Sequence, residues 1–228
     1  MIANKKRFYG GVALIIAFVI VLIVFFSPLY GGKNGLDFLD NLFNSISKDS
    51  AYYIPKVKEQ SDTFKGTSVS VNLKMNDQKQ TQQTASLFKA GGANTKLGES
   101  VLRVTGDLGE ILGNCLADAD SMYHNDGEQV SSKYGYDEKQ VLFNWWMAFK
   151  EMDKELKKQK KFKEASIISL VSKKAVEPSY NYYKVESQKI TARLGIVIFS
   201  LIFYVIYTLW YGFAILFMFE GWGLRLGH

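Results

Sequence analysis

The residue types best suited to chemistry gather in one short stretch, where Asp118, Asp120, His124, Asp126 and Glu128 fall within eleven positions. Carboxylates and an imidazole are ligands for calcium or a transition metal. Their order does not follow an EF-hand loop, because Gly127 and Glu128 stand at the wrong places. Asp118 and Asp120 are two apart and cannot share a helix face. The stretch therefore reads as a solvated helix end that stops at Asn125-Asp126-Gly127, and no metal is expected.

Other catalytic signals are scarce. Cys115 is the only cysteine, so no intramolecular disulfide forms, and it reads as a buried thiol on an apolar helix face. It has neither a second cysteine nor the following histidine that haem attachment requires. Gly106-Asp107-Leu108-Gly109 has glycines like those of a phosphate loop, which must follow a strand and open a helix. The surrounding apolar spacing reads as helix throughout, which is the wrong context. Neither a cofactor nor enzymatic activity is expected.

Two features suggest contact rather than chemistry. Trp145 and Trp146 are neighbours, and neighbours on a helix point about 100° apart. One can enter a core while the other meets a groove, a ligand or another protein. Gly106, Gly109 and Gly113 lie along one side of a predicted helix, at a cost of about 1 kcal/mol each relative to alanine. They predict a backbone passing close by, from this domain or another subunit. The lysine run from Lys154 to Lys163 reads as a solvated helix face.

These residues must be positioned by a chain with 28 basic and 22 acidic residues, net charge +6. Setting aside Lys5, Lys6, Arg7, Arg225 and Glu220 leaves 24 against 21, which argues against a nucleic-acid surface. Two apolar runs, at 9–28 and 193–219, are each long enough to cross a bilayer core, which needs about 20 residues, and between Tyr9 and Pro28 and between Leu194 and Phe219 they carry no charge. The first is too long for a signal-peptide core, and Ser27-Pro28-Leu29-Tyr30 offers no small-x-small cleavage site. It reads as an uncleaved anchor. Gly10, Ala13 and Ala17 form a small-residue stripe on the first span for close packing, and Tyr204 and Tyr207 on the second call for helix neighbours.

Lys5, Lys6 and Arg7 place residues 1–8 in the cytoplasm, and Arg225 places 220–228 with them. Residues 29–192 then form an extracytoplasmic domain on a two-pass protein of the cytoplasmic membrane. Within it, apolar residues recur at helical spacing at Leu36–Ile46, Leu97–Ala119, Val141–Leu156 and Ile167–Ala175. Val69, Val71, Leu73 and Met75 also alternate, so 67–75 fits a short β element, although polar flanks without turn signals favour helix. Glu177-Pro178 marks a kink, after which the chain is expected to run into the second span as one helix.

The expected fold class is mainly α, an extracytoplasmic helical bundle between two transmembrane helices. Both tails are too short for an effector domain. The expected role is a noncatalytic accessory or scaffold subunit of a membrane assembly, with the bilayer and other membrane subunits as partners and no nucleic acid. A ligand-sensing ectodomain and a homo-oligomeric two-span channel are the alternatives.

Overall fold

The structure, a computed structural model, describes residues 2–224; Arg225, used above to orient the second span, lies outside them. It is mainly helical, with a small three-stranded sheet and two helices long and apolar enough to span a membrane. The chain divides into two compact units, one built from the chain up to Ile46 and from Ser187 onward, the other from Ser47–Glu186.

The first unit is a helical hairpin. Helix α1 (Lys5–Phe25) is capped by the Asn4 side chain, which accepts the Arg7 N–H at 3.1 Å. Helix α10 (Ile190–Trp222) runs antiparallel to it. At one end the Asn4 N–H donates to Gly221 O at 2.9 Å and Arg7 pairs with Glu220. At the other, Phe25 stacks on Phe203 at 5.9 Å. Ile190–Ile202 therefore extend past the end of α1, and the first part of α2 (Gly35–Ser50) lies beside them, with Ser45 O accepting the Gln188 N–H at 3.1 Å. Asn34 caps α2, as expected from its type.

The seam of this hairpin differs from the predicted one. Gly11, not Gly10, meets α10: a Cβ there would lie 2.7 Å from Ala214 O. Phe18 is buried against Tyr207, Trp210 and Tyr211. Gly10 and Ala13 are exposed and Ala17 is half-buried, so the small-residue stripe mostly faces outward. Of the two tyrosines, Tyr207 packs on Phe18 and Tyr204 is exposed.

The second unit joins helices to a sheet. Helix α3 (Ile54–Asp62) leads to β1 (Ser68–Lys74), then α4 (Gln78–Ala90), β2 (Asn94–Leu97), β3 (Val101–Asp107) and α5 (Leu108–Tyr123). The sheet order is β1-β3-β2, antiparallel throughout, with Val71 opposite Val104 and Leu73 opposite Leu102. Helices α6 (Gly127–Tyr134), α7 (Glu138–Lys158), α8 (Phe162–Val171) and α9 (Glu177–Asn181) follow.

Three sequence readings are corrected here. The first concerns 67–75, which is strand and not helix: Val69, Val71 and Leu73 enter the core while their neighbours do not. Second, the helical stripe begun at Leu97 is helix only from Leu108; Leu97, Val101 and Val104 satisfy its three-four spacing but belong to a hairpin. Leu102 and Val104 are fully buried, two apart, and β-branched residues favour the strand. Third, Tyr182–Lys189 is not helical, so α9 does not continue into α10. Pro178 acts earlier than its position suggests. Before it, Ser172–Val176 widens into a π turn, which relieves the clash of a proline ring with the carbonyl four residues back. The connection between α5 and α7 contains α6.

The core forms around α5 and α7. Leu108, Ile111, Leu112, Cys115 and Met122 of α5 meet Leu142, Trp145, Phe149 and Met152 of α7, all buried. Trp145 packs edge-on against Phe88 of α4 at 5.3 Å.

Two glycines on α5 separate close approach from open space. A Cβ on Gly109 would stand 2.5 Å from Lys65 N, whereas one on Gly113 would meet nothing within 4 Å. Gly109→Ala is expected to destabilise the protein by about 1–3 kcal/mol through forced backbone movement. Gly113→Ala is expected to stabilise it by up to about 1 kcal/mol. Thermal unfolding of the full chain in mild detergent should move in opposite directions for the two variants.

Candidate functional site

Asp118 organises the centre of the second unit. It sits on α5 with 2% of its surface exposed, and its carboxylate has three donors. Lys133 donates at 2.6 Å and Tyr134 at 2.6 Å, both from α6. The Trp145 indole N–H donates from α7 at 2.9 Å. Asn114, one turn earlier on α5, accepts from Lys133 and donates to the Tyr134 hydroxyl. Burial, then the Asp118 charge, pushes the Tyr134 phenol far up, and the same two causes raise Cys115. Both groups are thereby favoured in their neutral, protonated forms.

The acidic stretch is thereby divided. Asp118 points into the core, while Asp120 is exposed, accepts the Tyr52 hydroxyl at 2.7 Å and pairs with His124 at 3.3 Å. Burial and that hydrogen bond raise the Tyr52 phenol to about 12. Asp126 and Glu128 begin α6. Among the described residues no three His, Cys, Asp or Glu side chains come together as a metal site.

The glycine loop does follow a strand and open a helix, contrary to the sequence reading. Its donors are nonetheless taken. Leu108 N–H donates to Thr67 O at 2.8 Å, Gly109 N–H to Phe64 O at 3.3 Å, and Glu110 N–H to Asp107 Oδ1 at 3.0 Å. Asp107 also accepts Gly66 N–H at 2.5 Å. A helix N-terminus already filled by a carboxylate is a poor phosphate cradle. Gly106 fits the same logic, since its missing Cβ admits Ala93 at 2.7 Å.

The lysine run is equally committed. Lys154, Lys157 and Lys158 pair with Glu151, Asp153 and Glu155 at 2.5–2.6 Å. Gln159 and Lys161 donate to Ser70 O and Ser68 O, covering the outer edge of β1.

Lys48 forms a second polar centre that the sequence did not mark. Its ammonium donates to Asn125 Oδ1 at 2.9 Å and Val185 O at 2.7 Å and lies 5.2 Å from the Tyr123 ring centre. The Tyr123 hydroxyl donates back to Lys48 O. Burial lowers the Lys48 pKa, opposed by Glu186. Residues near where the chain enters and leaves this unit are thus tied together. Asn125, whose φ of 65° is left-handed, was legible only as a helix stop.

A mainly apolar groove lies open at Trp146. Trp145 is wholly buried, so its neighbour turns outward and lies half-buried beside Leu142, Phe143, Val176, Glu177 and Tyr180. The groove has a volume of about 350 Å³ and a mainly apolar lining. Glu177 accepts the Trp146 indole N–H at 3.0 Å, and Lys150 lies 5.1 Å from the ring centre. These contacts fix the indole as one wall.

Asp118→Ala would leave Lys133, Tyr134 and the Trp145 N–H without their acceptor. A loss of about 3–5 kcal/mol is expected. Cys115 supplies the readout: in the native protein it should resist maleimide except through unfolding, and in Asp118→Ala it should label faster at equal pH.

No family model, curated protein or solved structure matches this chain.

Proposed function

We propose that the chain is a two-span membrane protein acting as a noncatalytic accessory or scaffold subunit, with residues 29–192 outside the cytoplasm and both ends of the hairpin on the cytoplasmic side. The antiparallel pairing of α1 and α10 supports this, since it sets Lys5, Lys6 and Arg7 beside the end of α10. Positive residues flanking a span favour the cytoplasm. Few residues of either helix are buried, as expected of helices whose surroundings are lipid or other helices.

One observation carries the reading: the charged groups at the centre of the second unit are closed by their own neighbours, while the groove at Trp146 is open and mainly apolar. Asp118, Lys133, Tyr134 and Trp145 close one network, and Lys48, Asn125 and Val185 another. The Trp146 groove is open, as is the Gly10–Ala13 side of α1. A fixed aromatic wall in a groove of this kind suits an apolar side chain of a partner protein. Outward small residues allow a partner helix to approach closely, and a partner would give the exposed Tyr204 hydroxyl a hydrogen bond. The groove is also of a size that takes a small molecule, which keeps ligand sensing as the second reading.

A reporter inserted at Ser131 should read as extracytoplasmic; a cytoplasmic signal would refute the orientation. A photo-crosslinking residue at position 146 should yield one discrete adduct in native membranes, and Trp146→Ala should abolish stoichiometric co-purification of that protein while leaving the melting temperature within about 2 °C. A solitary chain that binds a small molecule at Trp146 would establish the sensor instead.

A further inference from the structure

Within the first unit, two adjoining clefts lie between the end of α1, the start of α2 and the first turns of α10. One is almost wholly apolar, about 360 Å³, walled by Val24, Phe25, Phe38, Leu39, Phe199 and Phe203. Its buried hydroxyl, Ser200, donates to Val197 O at 2.8 Å and asks nothing of an occupant. The other cleft, about 220 Å³, presents Lys33, Asn41, Gln188 and Arg193. Phe38 and Ile196 line both, so the two lie side by side and share these side chains as a wall.

The charge in the second cleft is unbalanced. No acidic residue lines it, and neither Lys33 nor Arg193 belongs to an ion pair among the described residues. Gln188 accepts the Arg193 Nε–H at 2.9 Å, which orients the guanidinium. The loop that places Lys33 turns through Gly31 and Gly32 at φ of 64° and 80°, and Lys33 exchanges backbone hydrogen bonds with Tyr30. The backbone that carries Lys33 is thereby fixed at the rim of the cleft, with the side chain exposed.

We propose that the adjoining clefts bind one anionic phospholipid, its acyl chain against Phe38, Phe199 and Phe203 and its phosphate between Lys33 and Arg193. An apolar trough ending in two cations matches the division of such a molecule into tail and charged head. Basic pockets beside transmembrane helices take anionic lipid headgroups, and arginine meets phosphate with paired N–H donors. The site also explains the length of α10. Its turns from Leu194 to Phe199 are uncharged and apolar but lie beyond α1, and lipid covers the wall that α1 cannot reach. The proposal rests on the membrane-spanning reading of α1 and α10.

The test uses the full chain, purified in mild detergent and examined by native mass spectrometry with phosphatidylglycerol or phosphatidylcholine of identical acyl chains. The expected result is preferential retention of phosphatidylglycerol by about tenfold or more. Lys33→Ala with Arg193→Ala should reduce it to the phosphatidylcholine level without changing the melting temperature. Leu39→Trp, which fills the apolar trough, should lower retention of both lipids. Equal retention of the two lipids by the native chain, or a preference that survives the double substitution, would overturn the site. Displacement of the lipid by millimolar glycerol phosphate would overturn it too, by showing that the head alone suffices. Carbonate extraction of native membranes separates the two failures: release of the chain refutes the spanning reading, whereas an integral chain without lipid preference refutes the lipid site alone.

Discussion

A buried carboxylate constrains the second unit more than any apolar contact does. Asp118 lies where α5, α6 and α7 meet, and a charge withdrawn from water costs several kcal/mol unless paired and hydrogen-bonded. Lys133, Tyr134 and Trp145 meet that demand, and each fixes an element in doing so. Helix α6 has eight residues and buries only Gly127 and Val130, so apolar packing alone holds it weakly. Its position is set by the two donors it sends to Asp118. Such a network need not add much net stability; it selects one register among packings that hydrophobic contact would leave nearly equal. The register of α7 then has a consequence at the surface. With the Trp145 indole pinned inward, Trp146 is carried round to the outside, where Glu177 fixes it as the groove wall.

The hairpin packs by a different rule. Its two helices are long and apolar enough to span a membrane, and between such helices close packing and hydrogen bonds replace the drive that water gives to apolar surfaces. Gly11 beneath Ala214 O, Gly221 against the Phe8 backbone and the Trp210 N–H on Leu14 O at 3.2 Å are contacts of that kind. The pairing of Arg7 with Glu220 neutralises the two charges at one end. At 1.5 Å per residue α1 is about 31 Å long and α10 about 50 Å. The excess falls at the start of α10, beside α2 and its clefts.

Much of this was legible in the residues. The two long apolar helices and the α7 stripe from Val141 to Leu156 follow from composition and periodicity. The failures share one cause. Leu97, Val101, Val104 and Leu108 step by four, three and four, a spacing that a β-hairpin running into a helix can produce by coincidence. Leu102 was the signal that decided otherwise, because a helix stripe omits it and a strand two residues from Val104 requires it. The seam of α1 failed for a related reason: Gly10, Ala13 and Ala17 are small, but smallness does not choose between one-residue shifts, and α10 chose Gly11. Asp118 was grouped with a solvated helix end because spacing along a chain cannot tell an inward carboxylate from an outward one.

That distinction between inward and outward groups also governs what the protein can do. A catalytic group must have a protonation state that substrate can reach and change. Asp118 is held by three donors and sealed from water, Cys115 and Tyr134 are pushed toward neutrality beside it, and Asp107 spends its oxygens on the first turn of α5. Asp118, Cys115, Tyr134 and Asp107 are therefore committed to interactions that build the fold. Recognition has the opposite requirement, since it needs surface that the fold leaves unspent and rigidly held. Trp146, fixed by Glu177 and Lys150, meets that requirement, and so does the cleft between Lys33 and Arg193. A molecule that satisfies its polar groups internally and leaves ordered apolar recesses is suited to binding, with specificity set by the few charges at their rims.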